Sequence, residues 1–138
     1  MKKLIISICV IFVILSMAAG YVTIKLINRP QIRLFEGVDT DSITEIHISY
    51  IGGIFVTKDR SQILDIMHYL KSLKLYKRSN DKVPNTTPDS GISVICENGS
   101  VNNVEFYGDV ANIRGEEHNY TAPSSIHRDL EELCEKYK

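Results

Sequence analysis

The sequence predicts an α+β domain behind an N-terminal apolar helix, and three observations carry that expectation. Several short stretches alternate apolar and polar residues with a period of two, two longer stretches repeat their apolar residues at helical spacing, and glycine-bearing turn signals join strands in pairs. No strand-helix-strand repetition runs through the chain. The expected sheet is therefore antiparallel, of about five to six strands, with two helices packed on one face in the order β-β-α-β-β-β-β-α.

The first element is the apolar run Leu4 to Ile24, uncharged throughout and flanked by Lys2 and Lys3 before it and by Lys25 and Arg29 after it. As a helix rising about 1.5 Å per residue it reaches roughly 30 Å, the thickness of a hydrocarbon core. Residues 1–27 read either as a membrane anchor or as a cleavable signal segment. Ala18, Ala19 and Gly20 suit a signal peptidase, whereas the return of apolar character at Tyr21, Val22 and Ile24, ending on Lys25, suits an anchor. Both readings send the rest of the chain across the membrane: as a single-pass protein with its domain outside the cell, or as a secreted one. Residues 28–42, broken by Pro30 and Gly37, read as a tether, and 43–138 as the extracytoplasmic domain.

In that domain, Ile46, Ile48 and Tyr50 alternate with Glu45, His47 and Ser49, which is the pattern of a half-buried strand. Gly52 and Gly53 turn the chain into a partner strand over 54–58. Asp59 and Gln62 have the spacing of a capping box, with Ser61 as the alternative cap, and Ile63, Ile66, Met67, Leu70 and Leu73 give residues 60–73 a helical apolar stripe. A proline-bearing loop through Pro84 and Pro88 to Asp89 leads to a strand over 91–97, and Asn98-Gly99 returns it as 101–107. Gly108-Asp109 and Gly115-Glu116 turn two further short strands. Pro123 ends the sheet, and Ser124 or Ser125 caps a last helix striped by Ile126, Leu130, Leu133, Cys134 and Tyr137.

Charge and residue type narrow the functions. All 17 acidic residues follow position 30, so with four of the 16 cations before it the remainder carries 16 − 4 = 12 cations and a net charge of 12 − 17 = −5. Nucleic acid is not an expected partner of such a surface. Cys9 lies inside the apolar run as a small hydrophobe. Cys96 and Cys134 both fall on interior faces, where they either pair as a disulfide that staples the last helix to the sheet or stay as buried thiols.

Four histidines, His47, His68, His118 and His127, raise metal binding, but no two stand at helical i, i+4 spacing and none completes a short zinc pattern. No metal and no cofactor are expected, with His118 and Glu117 the first place to look if a metal is found. The chain carries no G-x-S-x-G elbow and no glycine-rich phosphate loop, so it is not expected to be an enzyme. The candidate binding residues are of two kinds. Lys71, Lys74, Lys77, Arg78 and Lys82 form a basic exit from the first domain helix, suited to an anionic polymer, headgroups or an acidic partner. Phe55, Ile95 and Tyr107 are placed on the sheet face away from the helices, suited to an envelope protein.

The opening Ile43-Thr-Glu-Ile-His-Ile48 strand, the helix from Asp59 with its tail Leu70-Lys-Ser-Leu-Lys-Leu75, the Val104-Glu-Phe-Tyr-Gly108 strand end and the closing Leu130-Glu-Glu-Leu133 together resemble a family of small exported or membrane-anchored domains of Firmicutes to which no function is assigned. The resemblance implies an α+β domain in a Gram-positive envelope and supplies no catalytic or binding residue. The expectation is a non-enzymatic binding or modulatory module, joined to the membrane through residues 4–24, with a secreted inhibitor-like protein or an envelope enzyme as alternatives.

Overall fold

The computed structural model describes residues 2–27, 30–79 and 82–138, with side chains in the first of these stretches from 9 to 25. It divides into two compact units, Met1–Pro30 and Gln31–Lys138.

The first unit is the helix α1, Lys2–Ile27. Two hydroxyls turn back on the helix: Ser16 Oγ donates to the Phe12 carbonyl at 2.6 Å and Thr23 Oγ1 to that of Ala19 at 2.8 Å. Among the described residues no helix is long and apolar enough to cross a membrane. The stretch whose side chains are described, 9–25, rises about 25 Å, short of a hydrocarbon core. The expected span from Leu4 begins outside it.

The second unit is one antiparallel sheet with two helices. Its elements are β1 (Gln31–Arg33), a 3-10 turn (Thr40–Ser42), β2 (Ile43–Tyr50), β3 (Gly53–Thr57), α2 (Arg60–Ser72), β4 (Lys74–Lys77), β5 (Ser90–Cys96), β6 (Val101–Tyr107), β7 (Val110–Ile113), β8 (Tyr120–Thr121) and α3 (Ile126–Glu135). The eight strands run β1-β4-β8-β7-β6-β5-β2-β3 across the sheet, each antiparallel to its neighbours.

The α+β class is as the sequence indicates, but the sheet is larger than five to six strands. β1 and β4 are the additions. Each is too short to show a two-residue period, and Lys74 and Lys77 make β4 look like the wet end of a helix. They pair with each other, Ile32 opposite Leu75. The presumed tether is thus partly a strand, and the folded unit begins at Gln31 rather than at Ile43. Leu34 is 0% exposed, its N–H donates to the Leu73 carbonyl, and the adjoining Phe35 is buried with a left-handed backbone, φ 57°. That conformation is costly for an aromatic residue and persists here because the side chain is held in the core.

One face of the sheet holds the core. Ile46 and Ile48 of β2, Ile92 and Val94 of β5 and Val104 and Phe106 of β6 point to a layer formed by Ile63, Ile66, Met67 and Leu70 of α2 and by Ile126, Leu130 and Cys134 of α3. Asp59 caps α2, accepting from the Gln62 N–H at 3.0 Å, while Ser61 donates to Asp59 instead of replacing it. The Gln62 side chain does not return to the cap directly. It accepts from Thr57 Oγ1, which in turn accepts the Asp59 N–H. At α3, Ser125 occupies the cap position without making the cap bond; its hydroxyl donates to Asp129. The β2–β3 turn depends on glycine, because a Cβ on Gly52 would lie 2.5 Å from the Tyr50 ring and Gly53 takes φ 137°.

The C-terminus is held down by two carboxylates. Glu135 accepts from Tyr50 Oη at 2.9 Å and from Lys138 Nζ, and Asp65 accepts from Lys136 Nζ and from Tyr137 Oη. Tyr137 also stacks at a tilt on Phe55, with ring centroids 6.2 Å apart.

Two outcomes follow from this architecture. Leu34→Ala should lower the unfolding free energy of the folded unit by about 3 kcal/mol in urea titrations, a loss that a mere tether residue would not produce. The hydrogen bonds from Lys136 and Tyr137 lower the Asp65 pKa, and those from Lys138 and Tyr50 lower that of Glu135. Their contribution is complete above the ordinary carboxylate range and is lost as pH falls through the lowered folded-state values. Urea midpoints should therefore drop on acidification, and Asp65→Asn should drop less between pH 7 and pH 3 than the parent chain.

Candidate functional site

Because both helices lie on one side, the other face of the sheet is built from the alternate residue of each strand, and no described element lies over it. Its middle is polar: His47 and Ser49 on β2, Ser93 on β5, Asn103 and Glu105 on β6, Asn112 on β7. His47 Nε2 hydrogen-bonds Glu45 Oε1 at 2.7 Å, and Lys58 Nζ stands 3.4 Å from the same carboxylate. Those contacts, the His47 hydrogen bond first, hold Glu45 below the usual carboxylate range. Apolar side chains flank this centre on two sides, the exposed Val101 and half-buried Ile95 at one end of β6 and β5, and the exposed Ile54 and Val56 on the edge strand β3.

Where β6 meets β7 the face sinks into a depression of about 380 Å³, lined by Asn103, Glu105, Asn112, Ile113, Arg114, Gly115 and Glu116. Glu105 Oε2 accepts from Tyr107 Oη at 2.8 Å, and this bond together with burial raises the Tyr107 pKa. Asn112 Nδ2 donates to Asn119 Oδ1 at 2.8 Å. The Asn103 side-chain oxygen is buried and has no hydrogen-bond partner among the described residues. An acceptor in that state favours a donor brought by something else, since a buried unpaired oxygen costs about 1–3 kcal/mol. Amides, two carboxylates and a guanidinium in a shallow hollow suit polar recognition of a surface.

The residues singled out from sequence are distributed differently from expectation. Phe55 is not on the open face. It is buried opposite Ile48, because the two-residue turn Ile51-Gly52 sets Tyr50 against Gly53 and carries that parity along β3. The exposed residues of β3 are its neighbours, Ile54 and Val56. Ile95 and Tyr107 do lie on the open face, half-buried.

The basic residues do not form one surface. Lys71 Nζ donates to the Val38 carbonyl at 2.6 Å and so fixes the loop after β1. Arg78 reaches Thr121 Oγ1 at 3.2 Å and Asp109 at 3.4 Å. Lys74 and Lys77 are exposed on opposite sides of β4: Lys77 shares the side of buried Leu75, and Lys74 lies on the open face opposite Arg33. Lys82 is exposed in the irregular stretch before β5. Two cations of the open face, Arg33 opposite Lys74 and Arg114 in the hollow, are not marked by the sequence pattern; Arg33 stands out only once β1 is recognised as a strand.

Half-buried His127 pairs with buried Ser90. Its Nδ1 is 2.9 Å from Ser90 Oγ and its Nε2 is 2.8 Å from the Gly108 carbonyl. Facing that carbonyl, Nε2 carries the proton and Nδ1 accepts from the serine. The arrangement has the members of a nucleophile and base, but Ser90 is 2% exposed, so the pair serves to satisfy a buried hydroxyl under the N-terminus of α3. Among the described residues no three His, Cys, Asp or Glu side chains gather as a metal site.

Cys96 and Cys134 are both buried and free. Burial raises the Cys134 thiol to about 11. They sit at opposite ends of β2, Cys96 opposite Ile43 and the residue after Cys134 bonded to Tyr50. The seven residue steps between those ends span about 23 Å, against the roughly 7 Å limit for bridged Cα atoms.

Compared with known proteins, the chain matches no family model, no curated protein and no solved structure. Thiol titration of the denatured, unreduced chain should return all three cysteines, and recovery of one thiol alone would restore the staple between α3 and the sheet.

Proposed function

We propose that this chain is a membrane-anchored, outward-facing domain of a Gram-positive envelope that binds or modulates another envelope protein through the open face of its sheet. The observation that carries this reading is the pairing, on one uncovered face, of a polar depression containing an unpartnered acceptor with the exposed Val101 and half-buried Ile95 next to it along β6 and β5. Protein interfaces commonly combine an apolar contact area with polar groups that fix orientation.

The anchor belongs to the same proposal. The uncharged run Leu4 to Ile24 between pairs of cations supports it, and Lys25 supplies a headgroup contact at its end. A non-enzymatic role is favoured because the hollow gathers recognition groups, whereas the nearest serine and histidine pair is closed to substrate. If the N-terminal segment is cleaved, the same face belongs to a secreted inhibitor-like protein. Fractionation of cells into membrane and medium separates the two.

The test uses the full chain as bait in intact envelopes. Glu105→Lys, which reverses charge in the hollow, and Val101→Lys, which charges its apolar rim, should each reduce recovery of the bound partner by at least about tenfold, corresponding to about 1.4 kcal/mol. Reversal of Lys74, Lys77 and Arg78 to glutamate should leave recovery near the parent level. The opposite ranking moves the binding surface from the open face to the basic strand.

A further inference from the structure

The two edges of the sheet are defended unequally. β1 is three residues long, follows Pro30 and carries Arg33, all features that discourage another strand from adding to it. β3, at the other edge, has none of them. It runs Gly53–Thr57 without proline or charge, it is bonded on one side only, to β2, and on the open face it shows Ile54 at 73% and Val56 at 48% exposure, with Ile51 exposed at the adjoining turn.

We infer that β3 is the seam of a symmetric dimer, in which it pairs antiparallel with β3 of a second copy about a two-fold axis through Phe55. The argument for a second copy as occupant is the self-complementarity of the strand. With Phe55 opposite its own counterpart, Ile54 of each chain stands opposite Val56 of the other, so all four exposed apolar side chains meet on one face. Shifting the pairing by two residues puts Lys58 against Ile54 in one direction, and Val56 against Gly52 in the other. Either shift loses apolar contact.

Phe55 and Thr57 remain turned to their own cores, and Gly53 faces Thr57 across the seam. The two sheets join edge to edge, the two-fold normal to them keeps both helix layers on one side, and the open faces become continuous. The interface is isologous and closes at two copies, because the opposite edge, β1, is blocked. This surface is separate from the hollow at β6 and β7, so the dimer stands or falls independently of the partner proposed above.

The test mixes two forms of the full chain in detergent micelles, both with Cys9→Ser, one carrying Ile54→Cys and the other Val56→Cys. Mild oxidation should crosslink the mixture at least about tenfold more than either form alone, since only the mixture places two thiols directly opposite each other. In parallel, sedimentation of the parent chain should show a concentration-dependent dimer that Val56→Lys abolishes. Val56 is exposed in the single chain, so the circular dichroism and urea midpoint of that variant should stay at parent values. A parent chain that remains monomeric up to about 100 µM, a dissociation constant weaker than roughly 5 kcal/mol of binding supports, overturns the inference. So does a mixture that crosslinks no better than its components, which would leave the β3 edge to a strand from another protein.

Discussion

The folded unit depends on one constraint: eight strands share only two helices, and both lie on the same side. Burial is therefore one-sided, and each strand must spend every second residue on the core. Ile46, Ile48, Ile92, Val94, Val104 and Phe106 meet that demand in the middle of the sheet, where α2 and α3 cover them. The same constraint leaves the opposite face without an overlying helix or strand among the described residues of this unit. Its centre is polar, and its exposed apolar side chains, Val101, Ile54 and Val56, lie toward its margins.

The order of strands also separates local from distant pairings. β2 with β3, β5 with β6 and β6 with β7 are joined by short turns and need little loop closure. β2 with β5, β1 with β4 and β4 with β8 bring together segments about forty to fifty residues apart, and these close the sheet at the cost of more chain entropy. The α2 helix links the two halves of the sheet along the chain: its N-terminus is tied to the end of β3 through Thr57, Asp59 and Gln62, and its C-terminus runs into β4 at Leu73. Lys71 and Leu34 then attach the first strand to the far end of that helix.

What was legible in the sequence follows the same physics. The strands β2, β5 and β6 could be read because each has one wet and one dry face, and α2 because its cap and stripe agree. Three kinds of feature were not legible. β1 and β4 are shorter than the period needed to reveal them, so Leu34 and Arg33 were assigned to a tether. Phe55 lies within three consecutive apolar residues, where alternation carries no information and only the hairpin's register decides the face. Cys96 and Cys134 each have the right local environment, but the distance between them is set by which end of β2 each one meets, a relation that exists only in the assembled sheet. The hollow belongs to the same class, since its lining comes from two strands and the turn that follows them.

The attachment of β1 has a mechanical meaning. Tension transmitted along the chain through residue 30 enters the folded unit at Gln31 and is borne first by three backbone pairs with β4, which are short and lie at the sheet's edge. Behind them Leu34 and Phe35 act as a stop, for neither can leave without opening the core beside Leu73. The domain is thus joined to what precedes it by a short edge strand backed by two core residues. The residues that set its strength lie outside the surface available to a partner.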